Sequence, residues 1–139
     1  HSPPQPSSAA SAVYKGQHLD RGAGAWVSAG EVSVALPPDL LQVAEGGRAQ
    51  HVALEVLNRL SPGTQGSWAL LAWASDGLDG SVGAGALITQ EDAGNLSGCR
   101  LGDALARFQS GSLLEEAGCR LKSFASETNL TDLYLALRN

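Results

Sequence analysis

Two carboxylates in a glycine-rich segment are the first residues of this chain whose type and spacing could do chemistry. Asp76 and Asp79 lie three positions apart, and each is followed by a glycine, Gly77 and Gly80. Glycine lets a backbone approach a ligand closely, and carboxylates at this spacing could hold Mg²⁺ beside phosphate oxygens. An ordinary Asp-Gly turn, in which the carboxylates bond their own backbone, explains the same residues. Both interpretations stay open on spacing alone.

A second glycine pair, Gly46-Gly47, comes directly before Arg48 and an amphipathic segment. Apolar residues at i, i+3, i+4, i+7, i+8 and i+11 predict a helix over residues 49–60. The N-terminus of a helix has free N–H groups and a partial positive charge, so it suits a phosphate or a carboxylate, and Arg48 would add a bidentate donor. The alternative is a glycine-rich loop with an exposed arginine.

Three further polar positions are candidates that also have ordinary explanations. Glu31 lies in a predicted strand, where a carboxylate usually faces solvent, and Thr128-Asn129 precedes the last predicted strand as a functional loop or a simple turn. His51 is one turn into the predicted helix and is more often structural than catalytic in such a place. The sequence places no Ser/His/Asp or Cys/His set on strand-end loops, so nucleophilic catalysis has little support.

The elements that must position these residues alternate between strands and helices. The patterns predict strands over 25–28, 31–36, 67–74, 119–124 and 132–137, and helices over 49–60, 101–108 and 112–117. Residues 67–74 (SWALLAWA) are almost continuously apolar, which is typical of a central strand covered on both faces. We therefore predict a layered α/β domain with a mixed or mostly parallel sheet flanked by helices. In such sheets ligands bind beyond the carboxyl ends of the strands, where residues 75–80 would lie.

Composition limits the domain organisation and the partners. Residues 1–23 open with a Pro/Ser/Ala-rich stretch and are predicted to be a disordered lead or linker, so the folded domain is predicted to span 24–139. The net charge of -5 argues against a nucleic-acid partner, which requires a basic face. No apolar run approaches the roughly 20 residues needed to span a bilayer, so we expect no membrane segment.

Two cysteines bear on the compartment in which the chain works. Cys99 and Cys119 are too few for a zinc site, and we expect reduced thiols in a cytoplasmic protein. Sequons at Asn95 and Asn129 leave open a secreted binding domain with a Cys99–Cys119 disulfide.

Taken in order, four blocks of this chain resemble the MOFRL domain, the C-terminal domain of class II glycerate kinases (glycerate 2-kinases). The blocks are Ala29–Val34 with its Gly-Glu pair, Gly46–His51 with Gly-Gly-Arg and Gln, Ser75–Ala86 with both aspartates and Ala-Gly-Ala, and Phe124–Leu133 with Thr-Asn and Asp-Leu. The resemblance covers about residues 25–138.

The resemblance implies a cleft that closes on D-glycerate and Mg-ATP and yields 2-phosphoglycerate, with a larger N-terminal glycerate-kinase-like domain as the partner. By position it implies catalytic roles for Arg48, Asp76 and Asp79, metal binding by the same two aspartates, and substrate binding by Glu31. It implies cofactor contacts from the remaining loop residues, which are Gly46, Gly47, Gly77, Gly80, Thr128 and Asn129.

The chain also departs from the family pattern at its motifs. Ala49 and His51 replace the family's Asn and Glu, and Phe124–Glu127 replaces a Gly-Pro-Thr-Gly loop. Ala49 lacks an amide that could donate and accept, and Glu127 should repel an anionic ligand unless a metal intervenes. We therefore expect the chain to be inactive alone, with a non-catalytic interaction or scaffold domain as the alternative, and we leave a homodimer open.

Overall fold

A single five-stranded sheet organises the computed structural model, which describes residues 17–60, 66–128 and 130–139. The sheet has the strand order β1-β5-β2-β3-β4. Its strands are β1 (Gly24–Ala29), β2 (Trp68–Trp73), β3 (Gly85–Thr89), β4 (Arg120–Leu121) and β5 (Leu133–Arg138). The layered α/β architecture that the sequence predicts is confirmed.

The prediction of a mixed or mostly parallel sheet is wrong, because every pair of neighbouring strands is antiparallel. Strand β3 lies in a small-residue segment that shows no strand pattern, so the hairpin it forms with β2 was not predicted. Only residues 74–84 connect β2 to β3, and they contain no helix. A parallel neighbour would need a longer crossover connection.

After β1, the described residues form four α-helices: α1 (Arg48–Arg59), α2 (Gln90–Ala93), α3 (Cys99–Ala106) and α4 (Ser110–Glu116). Helix α1 carries the predicted apolar stripe, and its Val52, Val56 and Leu57 are buried in the core. They pack with the inward-facing residues of the sheet, such as Leu70 and Ile88. No helix in the described ranges is long and apolar enough to cross a bilayer.

Two sequence-based boundaries differ from the structure. Residues 31–36 were predicted to be a strand but form none, because β1 is the edge of the sheet and Gly30 (φ 142°) turns the chain away from it. The predicted strand 119–124 is only two residues long, since the backbone N–H of Phe124 donates to the Gly77 carbonyl (3.1 Å) and not to a strand.

The packed structure starts before residue 24, where the predicted lead ends. Residues 17–20 are helical, and Leu19 is fully buried in the core. The His18 ring stacks on Trp26 with the ring centroids 5.2 Å apart, which fixes this turn against β1. Residues 1–16 of the predicted lead lie outside the described residues.

Candidate ligand cleft

The aspartate of the second Asp-Gly pair joins its loop to the N-terminus of α1. Asp79 is 3% exposed, and its carboxylate accepts hydrogen bonds from the backbone N–H groups of Ala49 (3.0 Å) and Gln50 (2.8 Å). These two donors have no partner within the helix. A negative charge at this end of the helix also interacts favourably with the helix dipole. Asp79 therefore caps α1 from a distant part of the chain.

The buried side chain of Gln50 completes this junction. Its Nε2 donates to Asp79 Oδ2 (3.1 Å) and lies within hydrogen-bonding distance of the Asp79 carbonyl (3.2 Å) and the Val82 carbonyl (2.8 Å). The two N–H groups of this buried amide are shared among acceptors on Asp79 and Val82, so Gln50 holds residues 79–82 in one position against α1. The family motif includes this glutamine, but sequence reasoning did not assign it a role.

Glycine is required at two points where the loop and the helix meet. A side-chain carbon at Gly47 would overlap the Asp79 carboxylate and main chain. A side-chain carbon at Gly80 (φ 72°) would lie 2.7 Å from the Gly46 carbonyl oxygen, closer than such atoms approach in proteins. The two predicted glycine motifs are therefore in direct contact, with each leaving room for the backbone of the other.

Arg48, the first residue of α1, lies between two carboxylates. Its Nη1 is 3.3 Å from Glu31 Oε2, and its Nη2 is 3.5 Å from Asp132 Oδ2. Burial alone would lower the pKa of Arg48, but the two carboxylates outweigh it and raise the pKa. The Arg48 side chain remains 42% exposed, so the guanidinium can still contact a ligand.

Asp132 is the buried carboxylate of the site. Its side chain is 6% exposed, and its Oδ2 has no hydrogen-bond partner in the described structure beyond the longer ion pair with Arg48. Burial raises the pKa of Asp132 to about 6; Arg48 opposes that rise and Asp79 adds to it. Burial together with Asp132 also raises the pKa of the Tyr134 hydroxyl.

Gly46–Arg48, Asp79 and Gly80 border a cleft of about 300 Å³ beside the N-terminus of α1, within the lower range for small-molecule sites. Its polar lining comes from the two glycine motifs, Arg48, His51 and Glu45, and four partly exposed apolar side chains surround the remainder: Val34, Leu36, Leu78 and Phe108. The cleft thus joins an arginine and a helix N-terminus to an apolar wall.

One side of the cleft is a pair of stacked rings. The rings of His51 and Phe108 lie 4.7 Å apart and are parallel within 5°. His51 Nε2 is 3.1 Å from Glu55 Oε1, and its buried Nδ1 has no hydrogen-bond partner in the described structure. Phe108 has a φ of 54°, a conformation that favours Asn over Phe. The His51–Phe108 pair was not predicted.

The other predicted residues lie at different distances from the cleft. Asp76 is exposed, and its Oδ1 accepts a bond from Leu78 N–H (3.2 Å) in a local turn. Gly77 packs on the backbone of Phe124. Thr128 is exposed, and its N–H donates only to the nearby Ser126 hydroxyl (3.0 Å) among the bonds described. Asn129 lies outside the described residues.

The segment after Thr128 nevertheless reaches the aspartate loop. The Ser75 hydroxyl donates to the Leu130 carbonyl (2.7 Å), and Asp132, two residues further, meets Arg48. The structure therefore brings together residues 31, 46–48, 79–80 and 132. Asp132 belongs to the Asp-Leu pair of the last family-like block. The position of this pair at the start of a predicted strand was the signal that could have identified it.

The carboxylates differ in their fitness for a metal. Among the described residues, no three His, Cys, Asp or Glu side chains cluster as ligands for one ion. Asp79 uses both oxygens on α1 and does not fit, whereas Asp76 is exposed and its carboxylate accepts one bond, at Oδ1, among those described. Mg²⁺ often needs only one or two carboxylates because the phosphates of its nucleotide and water supply the other ligands.

Solved structures of longer chains share this fold. The fold matches the crystal structure of glycerate kinase from Thermotoga maritima (TM-score 0.80, 21% identity, 98% of this chain and 34% of that chain). It also matches the PH0495 protein from Pyrococcus horikoshii (TM-score 0.82, 19% identity, 98% and 33%). No curated protein sequence matches the chain.

At these identities the two structures establish the fold, and the chain spans about a third of the length of each. The sequence match is more specific, because the model of the MOFRL family matches residues 24–132. These residues include both glycine motifs, Arg48, both aspartates of the loop, and Asp132. The chain belongs to the MOFRL family.

Proposed function

We propose that this chain forms the C-terminal part of a glycerate-2-kinase-like phosphotransferase and binds the anionic groups of Mg-ATP or D-glycerate in the cleft. The observation that carries the proposal is the position of Arg48. It is the first residue of α1, it follows the Gly46-Gly47 pair, and its half-exposed guanidinium borders the cleft. Because Asp79 already accepts from the N–H groups of Ala49 and Gln50, the anion would be held by the Arg48 guanidinium and the glycine backbone beside it.

The residues of the junction would act by positioning. Phosphoryl transfer requires in-line placement of the reactants and neutralisation of charge more than covalent catalysis. Asp79 and Gln50 hold the loop rigidly on α1, so the glycine N–H groups and Arg48 keep a fixed geometry. The other cationic groups of the site would come from an N-terminal glycerate-kinase-like domain.

Magnesium would enter with the nucleotide and neutralise charge on its phosphates. We assign its protein contact to Asp76, whose carboxylate is exposed at the loop. Asp79, which was also predicted to bind the metal, is not assigned to it, because ligation would break the hydrogen bonds by which Asp79 caps α1. Glu31, expected to bind substrate, is proposed to orient Arg48 through their 3.3 Å contact.

The electrostatics of the cleft support the expectation that the chain is inactive alone. Arg48 is the one cation among the residues that line the cleft in the described structure, and Glu31 and Asp132 already neutralise it. An anionic ligand must therefore compete with two carboxylates for one guanidinium. Protonation of Asp132 near pH 6 would weaken this competition, so anion affinity should rise as the pH falls.

Thermal unfolding of the chain with and without ligand tests the proposal. Mg-ATP and D-glycerate should each raise the Tm, because a ligand that binds only the folded state stabilises it. Arg48→Ala should abolish the rise, and Arg59→Ala should keep it, since Arg59 is an exposed arginine at the opposite end of α1. No stabilisation at millimolar ligand, or an equal effect in both variants, would contradict the proposal.

A non-catalytic MOFRL domain is the second candidate function. It is favoured by Ala49 and His51, which replace polar family residues at the N-terminus of α1, and by the neutralised Arg48. In that case neither ligand should change the Tm.

For the compartment, we propose the cytoplasm. Cys99 is exposed and Cys119 is buried, and both thiols are free, which fits a reducing environment and does not support the disulfide of the secreted alternative.

A further inference from the structure

The sheet presents one face to the helices and leaves the opposite face apolar. The core cluster takes its strand residues from the inward positions, for example Leu70, Ile88 and Ala136. The outward positions of β1, β5, β2 and β3 are here called the outer face. By strand register they are Ala25, Val27, Ala29, Leu133, Leu135, Leu137, Ala69, Leu71, Trp73, Gly85, Leu87 and Thr89.

The outer face is uncharged, and eleven of its twelve positions are exposed or half-buried. Val27 is 72% exposed, and Leu87 and Leu137 are each 43% exposed. Val27, Leu135, Leu71 and Leu87 are paired in register and form a continuous row across four strands. In the described structure, Phe124 covers only one end of the face, through its stack on Trp73 (6.0 Å).

The size of the outer face is sufficient for a specific interface. Four strands about 4.8 Å apart and about six residues long, at roughly 3.3 Å per residue, give a footprint on the order of 400 Å². Projecting side chains enlarge this area, so two such faces would bury on the order of 1,000 Å² in total, the lower limit for a specific contact. An apolar patch of this extent on a soluble domain usually marks an interaction site.

We propose that the outer face binds a second copy of this chain, sheet against sheet, in a two-fold dimer. A two-fold interface needs a surface that is complementary to itself. The outer face meets this condition because none of its twelve positions is charged, so two copies of a chain with net charge -5 can meet there without opposing like charges. Apolar sheet faces pack about 10 Å apart in a stable arrangement.

The dimer is independent of the proposed ligand cleft. Helix α1, which carries Arg48, packs on the opposite side of the sheet, so contact between outer faces leaves α1 uncovered. Failure of one proposal does not affect the other. From the modest buried area we expect a dimer that dissociates in the micromolar range.

Sedimentation of the full chain over a range of concentrations tests the dimer. The wild type should shift from 14.3 kDa towards twice that mass as its concentration rises. Val27→Lys and, separately, Leu87→Lys should weaken the dimer by roughly 100-fold or more, because each buries an unpaired charge. Leu41→Lys is the matched control, since Leu41 is 61% exposed but lies outside the sheet, and it should dimerise as the wild type does.

The proposal is overturned if the wild type stays monomeric up to about 500 µM, which is far above the expected range. It is also overturned if both lysine variants dimerise as the wild type does, or if Leu41→Lys loses dimerisation to the same extent as they do. The lysines replace exposed side chains, so far-UV circular dichroism should match the wild type. If one variant is unfolded, the other decides.

Discussion

Replacing Asp79 by alanine should destabilise the fold far more than replacing Asp76, although both aspartates belong to one loop. Asp79→Ala leaves the buried N–H groups of Ala49 and Gln50 without acceptors. Each unsatisfied buried donor costs about 1–3 kcal/mol, and the lost charge at the helix N-terminus adds about 0.3–1 kcal/mol. We expect the free energy of unfolding to fall by about 3–5 kcal/mol.

Asp76→Ala is the matched control because it removes the same side chain three residues away. Asp76 is exposed and makes one turn bond of 3.2 Å, so its loss should cost about 0.5 kcal/mol. Asp79→Asn keeps one acceptor oxygen but turns an NH₂ towards a backbone donor, and we expect an intermediate cost of about 1–3 kcal/mol.

Urea unfolding followed by tryptophan fluorescence measures all three variants, since the chain has three tryptophans. The midpoint should fall while the slope m stays constant, because the extent of the fold is unchanged. If the free energy of unfolding falls for Asp79→Ala within about 1 kcal/mol of the fall for Asp76→Ala, Asp79 does not hold the loop on α1. In that case the reason for excluding Asp79 as a metal ligand would also fail.

Three further outcomes are expected. Burial raises the pKa of Asp132 from 3.8 to about 6, so the folded state binds its proton more tightly. The stability that Asp132 contributes should be fully present below about pH 4 and be lost, by up to about 3 kcal/mol, as the pH rises from about 4 through 6. Urea titrations across this range should show the loss in the wild type and not in Asp132→Asn. Gly47→Ala should cost about 1–3 kcal/mol, because the added carbon overlaps Asp79, and wild-type stability in that variant would contradict the junction. A thiol reagent at pH 8 should label exposed Cys99 quickly and buried Cys119, with its pKa raised to about 11, only on unfolding; equal rates would contradict this burial.

Strong periodicity explains which elements could be predicted from sequence. The stripe on residues 49–60 and the apolar segments around β2 and β5 correspond to observed elements within a residue or two. Strand β3 was missed because Gly85 and Ala86 give it no alternating pattern. Without β3 the β2–β3 hairpin cannot be predicted, and the continuous apolar sequence of β2 then suggests a parallel sheet covered on both faces. In the structure the outward side chains of β2 belong to the apolar outer face, and no helix covers them in the described residues.

The site was predictable as a set of motifs and not as chemistry. The family resemblance implied that Gly46–Arg48 and Asp76–Gly80 face one cleft, and in the structure Gly47 lies directly against Asp79. Which aspartate is buried could not be read from two similar Asp-Gly pairs, because burial depends on the helix that packs against one of them. The raised pKa of Asp132 comes chiefly from tertiary burial, so its position before a predicted strand could mark the residue but not its raised pKa.

Amide chemical shifts of the ¹⁵N-labelled chain, titrated with Mg-ATP and then with D-glycerate, test most directly whether the N-terminus of α1 is the ligand site. We predict that the largest shifts fall on Gly46, Gly47, Arg48 and Gly80, which border the cleft. In Arg48→Ala these shifts should be lost. Shifts that are absent at saturating ligand, or that are centred away from residues 46–48 and 79–80, would contradict it.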